Sequence, residues 1–167
     1  MRYLAPRHNF WLIAATFLAT TCAVRSARAN EPPADVCSLL PAADVSKTLG
    51  REFGSPRKSV APRPYRNTAE GTDCHYQSKD GSELLFRGYV DPTPAAAADL
   101  FDRLAKFFGA PTPIAGLGDQ AYFDAEHALH ARKGKVRFFI NLTPMGTFTP
   151  AREKQLKDLA NRVAGQL

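Results

Sequence analysis

Three stretches of the chain repeat apolar residues at helical spacing, and each carries its own start and stop signals. In the first, Ala42, Val45 and Leu49 share a face, Pro41 suits the first helical position and Gly50 ends the run. In the second, Thr93 and Pro94 open a longer stripe of Ala97, Leu100, Phe101, Leu104, Phe107 and Phe108, which Gly109 stops. The third repeats that grammar. Thr149 and Pro150 open it, Leu156, Leu159, Ala160 and Val163 line one side, and Arg152, Lys154, Lys157, Asp158 and Arg162 take the other.

Between the helices the period drops to two, which is the signature of half-buried strands. Cys74 and Tyr76 alternate with Asp73, His75 and Gln77, and Lys79-Asp80-Gly81 turns the chain into a strand over 84–90. Residues 121–126 and 127–132 read as two more strands, and Lys133-Gly134 turns into another over 136–143. Residues 71–109 and 118–165 follow one order: glycine, aromatic strand, hairpin, apolar strand, Thr-Pro, helix. That shared order suggests two related halves and predicts an α+β fold, an antiparallel sheet with about three helices packed on one face. The segment 51–67 breaks the pattern with Pro56, Pro62 and Pro64 and with Arg51, Arg57, Lys58, Arg63 and Arg66; it reads as a basic, proline-rich irregular loop. Residues 110–115 form a second connector.

The start of the chain is of a different kind. Arg2, Arg7 and His8 precede an apolar run over 10–24 that is too short to cross a bilayer comfortably, and the small-x-small sequence Ala27-Arg28-Ala29 follows. This layout predicts a signal peptide, residues 1–29, cleaved after Ala29, leaving one α+β domain over 30–167 in the periplasm or secreted. Membrane association is expected only if Cys22 is lipidated, and the preceding Thr20-Thr21 does not suit that modification.

Removing the signal changes the charge picture. Residues 1–29 hold four of the 22 basic residues and none of the 16 acidic ones, so 18 basic face 16 acidic in the remainder, a net +2. Near balance gives no argument for a nucleic-acid partner. Cysteine use agrees with export: Cys37 and Cys74 are left as an even pair, neither lies in a CxxC, and a structural disulfide is the expected state.

Several stretches together resemble a group of bacterial exported proteins and lipoproteins of unknown function. They are the helix start from Cys37 through Leu39, Leu40 and Pro41 to Val45, the Leu49-Gly50 end, Asp73-Cys74-His75-Tyr76, and the glycine turn from Ile114 through Gly116, Gly118 and Asp119 to Phe123. The resemblance spans most of the chain after residue 30 and implies export and a small α+β domain, with no reaction attached.

Chemistry-bearing patterns are few. Gly116-Leu117-Gly118-Asp119-Gln120-Ala121 matches the GxGxxA form of a dinucleotide fingerprint, but a proline-rich loop precedes it and a strand follows, so it reads as a tight turn. His127 and His130 beside Asp124 and Glu126 could suggest a metal site; residues three apart on a strand point to opposite faces, and solvated hairpin histidines are the preferred reading. His75 lies beside Asp73 without a visible nucleophile, and no GxSxG is present.

What remains is a surface. If Cys74, Tyr76, Leu84, Phe86, Val136, Phe138, Ile140 and Leu142 face the helices, then His75, Leu85, Arg87, Tyr89, Arg137, Phe139 and Asn141 face the other way. Aromatic rings interleaved with arginines suit a planar, acidic or amphipathic partner, through stacking and bidentate hydrogen bonds. The rival reading has the basic loop simply covering that face. The sequence therefore predicts an exported, non-catalytic binding or interaction domain that uses His75, Arg87, Tyr89, Arg137, Phe139 and Asn141 to hold an unknown protein or a small acidic or amphipathic ligand, with no cofactor or metal. The alternatives are a metal-dependent or other hydrolase of the cell envelope using His75, His127 or His130, and a structural envelope component.

Overall fold

A computed structural model describes residues 33–66, 68–109, 111–144 and 147–167. The export signal expected over 1–29, with Cys22 and the cleavage point after Ala29, lies outside the described residues. In chain order come a 3-10 turn (Val36–Leu39), α1 (Ala42–Leu49), β1 (Arg57–Ala61), β2 (Gly71–Gln77), β3 (Glu83–Val90) and α2 (Pro94–Phe108). Then follow β4 (Thr112–Pro113), β5 (Gln120–Phe123), β6 (Leu129–Lys133), β7 (Val136–Thr143) and α3 (Pro150–Ala164). The strands form one antiparallel sheet in the order β1-β2-β3-β7-β6-β5-β4. The fold is α+β.

The helix ends form as their sequences require. Thr93 and Thr149 each accept a hydrogen bond from the backbone amide three residues on, at 3.1 and 3.2 Å, ahead of a proline in the first turn. Gly50 takes the left-handed conformation that ends α1.

One sheet face holds the main core. Cys74, Tyr76, Leu84, Phe86, Phe138, Ile140, Leu129 and Phe123 pack there against Val45 and Leu49 of α1 and Leu156, Leu159, Ala160 and Val163 of α3. The Cys37–Cys74 disulfide, with Cα atoms 5.8 Å apart, ties the 3-10 turn to β2 at the edge of that core. Such a bond belongs with an oxidising compartment. Among the described residues no helix is long and apolar enough to cross a membrane.

The placement of the helices differs in one respect from the expected single layer. Alternation puts Gln120 and Tyr122 of β5 and His130 of β6 on the face opposite the main core, and α2 meets those residues: Phe101 packs on Tyr122 at 5.0 Å between ring centroids, Phe108 lies 5.1 Å from His130, and Asp102 accepts a hydrogen bond from Gln120. The helix is amphipathic either way, and a stripe does not encode which face it meets. The opposite face exposes Tyr89, Tyr122 and Phe139 to whatever lies above them, so it offers α2 an apolar surface once α1 and α3 occupy the other. The hairpins β2–β3 and β6–β7 flank a central β3–β7 pair, in the order the internal likeness anticipates, whereas α2 and α3 lie on opposite faces.

Two other boundaries moved. Residues 57–61, expected to be irregular, form edge strand β1 on β2; its side chains are exposed except Ala61, so no alternation marks it in the sequence. The strand expected over 121–126 stops at Phe123, because the Asp124 carboxylate accepts the amides of Glu126 and Ala128 and folds the chain into a turn, with His127 at a φ of 61°.

Candidate functional site

Between the second sheet face, α2 and the proline-rich segment lies a cavity of about 460 Å³. Its floor is Arg87 and Tyr89 of β3, Arg137 and Phe139 of β7, Tyr122 and His130. Phe101, Leu104 and Phe108 of α2 form one wall, and Pro62 to Tyr65 another. Four of the six residues expected on a binding face therefore converge here. The floor follows from strand register: Arg87 is paired with Phe139, Tyr89 with Arg137, Phe139 with His130 and His130 with Tyr122, so their side chains share one side of the sheet.

Glycine makes room for one of them. Gly71 sits opposite Tyr89, and a Cβ there would come within 2.5 Å of the tyrosine ring. The ring lies over β2 for that reason, and its hydroxyl donates to the Pro62 carbonyl at 2.8 Å, holding the proline-rich wall to the sheet. The Arg103 guanidinium over the Tyr65 ring, at 5.3 Å, links the same wall to α2.

Both arginines of the floor are engaged. Arg87 donates twice to Asp73, at 2.6 and 2.9 Å, and Arg137 donates twice to Asp91, at 2.5 and 3.1 Å. The second pair is buried on both sides. Each guanidinium also lies over an aromatic ring, Arg137 on Tyr89 at 4.7 Å and Arg87 near Phe139 at 5.8 Å.

His130 is the centre of the aromatic cluster. Its ring stacks on Tyr122 at 4.8 Å and 12° and meets Phe139 edge-on at 4.9 Å. Its Nε2 lies 2.8 Å from the Asp124 carboxylate. Burial pushes the Asp124 carboxyl up, but the hydrogen bonds from His130 and from the amides of Ala128 and Glu126 outweigh it and leave the group below its ordinary value. An ionised Asp124 accepts only, so His130 donates to it through Nε2. Beside it the Tyr122 hydroxyl is buried and has no hydrogen-bond partner among the described residues. Burial, reinforced by Asp124, raises its pKa, and it stays a neutral phenol.

The other expected residues lie elsewhere. His75 is on the same face toward the β1 edge, where its Nδ1 is 2.6 Å from Glu83 and its Nε2 3.4 Å from the Ser59 hydroxyl. Asn141, opposite Leu85, does not line the cavity, and its side-chain oxygen is buried without a partner among the described residues. His127 and His130 do part company: His127 stacks on Phe148 at 4.2 Å, whereas His130 is buried, not solvated. Its hairpin packs under α2, which the sequence did not place there. Among the described residues no group of three His, Cys, Asp or Glu gathers at metal-binding distance.

The glycine turn is structural. A Cβ on Gly118 would fall 2.4 Å from the Arg132 carbonyl, and Asp119 accepts the Gly134 amide and an Arg132 hydrogen bond, stitching the turn to the β6–β7 hairpin. A strand follows it, not a helix. Of the floor residues, Tyr122 is not singled out in the sequence, and His130 is singled out there only as a metal or hydrolase candidate. Their signal was available in the alternation of Tyr122 with the apolar Ala121 and Phe123, but it needed the hairpin turn set at Asp124.

Neither a scan against protein-family models nor searches of the curated proteins and of solved structures finds a match.

Proposed function

We propose that this chain is an exported, non-catalytic binding domain that takes a small amphipathic molecule into the cavity beneath α2. The observation that carries this reading is the cavity itself. At about 460 Å³ it lies within the range of small-molecule sites, roughly 300–1,000 Å³, and its lining is rich in aromatic rings with a few converging polar groups. Large apolar side chains also stand exposed at its mouth, Phe107 at 76 % and Phe108 at 41 %. The disulfide, the basic and apolar layout of residues 1–29 and the resemblance to bacterial exported proteins support a periplasmic or secreted location.

A hydrolase is the second reading, favoured by one observation. Ser59, His75 and Glu83 stand in the order nucleophile, base and orienting acid. Ser59 is on an exposed edge strand outside the cavity, which gives a substrate no enclosing walls. One experiment separates the two. Native mass spectrometry of gently purified, exported protein should show an added mass of a few hundred daltons that denaturation releases, about what such a cavity holds. The same protein treated with a fluorophosphonate should carry no adduct at Ser59. A bare native mass together with a stoichiometric Ser59 adduct would replace the binding reading with the hydrolase.

A further inference from the structure

Resting on the cavity reading above, we infer that the cavity selects an uncharged, flat aromatic molecule with one hydrogen-bonding group over the anionic form of the same skeleton. Counting side chains on the sheet face points the other way, because Arg87 and Arg137 invite an acid. Geometry removes that invitation. Each guanidinium already makes two hydrogen bonds to its own carboxylate, Asp73 or Asp91. An entering anion would have to displace one of those carboxylates or lie beside it: displacement at the buried Arg137–Asp91 pair leaves an uncompensated charge, and at the more open Arg87–Asp73 pair the anion lies against a carboxylate. Arg63, at the rim, is held by Glu70. The other acidic groups on the lining, Asp124 and Glu126, repel an anion further.

Apart from the Nη1 donors of the charge-paired Arg87 and Arg137 guanidiniums, which have no partner among the described residues, the groups left to a ligand are neutral. Rings from β5, β6 and β7 and from α2 offer faces and edges to a flat body. The Tyr122 hydroxyl, in a residue 4 % exposed, has no partner among the described residues, and such a buried group gains by meeting one. Exposed Phe107 and Phe108 give an apolar approach from solvent.

Two dyes with one skeleton test this: N-phenyl-1-naphthylamine, which is uncharged, and 1-anilinonaphthalene-8-sulfonate, which adds a sulfonate. Fluorescence titration of the signal-free, disulfide-bonded protein should show saturable binding of the uncharged dye with an affinity about tenfold or more above that of the sulfonate. Leu104→Trp, which puts an indole into the cavity, should weaken binding of the uncharged dye while the far-ultraviolet circular dichroism is kept. Asp73→Asn frees the Arg87 guanidinium and should tighten sulfonate binding; an unchanged sulfonate affinity in a folded Asp73→Asn protein would overturn the charge argument. Equal or tighter binding of the sulfonate by the unsubstituted protein overturns the inference and leaves the cavity reading standing. Binding of neither dye, or undiminished binding by folded Leu104→Trp, defeats the cavity reading itself.

Discussion

Asp91→Ala should be the most damaging single substitution outside the apolar core, lowering the free energy of unfolding by about 3–5 kcal/mol. Asp91 and Arg137 are buried almost completely, at 3 and 4 % side-chain exposure, and two hydrogen bonds pair the guanidinium with its counter-charge where β3 leads into α2. Removing the carboxylate leaves a guanidinium with no counter-charge in a site that water barely reaches. A domain of this size has a total stability of about 5–15 kcal/mol, so the variant should unfold at much lower urea. The control is the double variant Asp91→Ala, Arg137→Met, which removes the stranded charge as well. Urea unfolding followed by tryptophan-independent circular dichroism checks both. The double variant should be clearly more stable than the single one; a double variant at least as unstable would mean that packing, and not the charge, is what Asp91 supplies.

Loss of the disulfide should be comparable. Cys37 and Cys74 are 37 positions apart, and closing a loop of that length stabilises by about 4 kcal/mol in the chain-entropy account. Here the bond does more than restrict the unfolded chain, because it holds the 3-10 turn against β2, where Val36, Leu39 and Leu40 enter the core. Cys37→Ala, Cys74→Ala should therefore lower the urea midpoint strongly and raise the protease sensitivity of the 3-10 turn, Val36–Leu39, before that of the sheet. A midpoint unchanged by the double substitution would show that the 3-10 turn is held by its packing alone.

The sequence made the antiparallel α+β class, the disulfide and the three helices legible, because each rests on local chemistry: Thr-Pro starts, glycine stops, and alternation over 73–77, 84–90 and 136–143. The same alternation identified Arg87, Tyr89, Arg137 and Phe139 as one surface. It could not show that this surface is roofed. Which face α2 meets depends on what is left uncovered after α1 and α3 have packed, a question of the assembled core and not of any one helix. Nor could it show that the arginines are spoken for. Asp73 precedes Arg87 by 14 positions and Asp91 precedes Arg137 by 46, so only strand register brings the partners together. His130 was hidden for a local reason: the turn made by Asp124 shortened the preceding strand, and His130 then fell opposite Tyr122. Edge strand β1 carries almost no buried side chain and so left no apolar signal at all.

The cavity is the proposed binding site, and the most direct test is to see where a ligand sits. Proton–nitrogen and aromatic proton–carbon spectra of the isotopically labelled protein, recorded while N-phenyl-1-naphthylamine is added, report on each ring of the floor and on the rest of the sheet at once. The structure predicts saturable shifts at Tyr89, Tyr122, His130, Phe139 and Phe108, with His75 and the α1–α3 face unmoved. Shifts that cluster at His75, Ser59 and Glu83, or on the α1–α3 face, with the cavity rings silent, would contradict it.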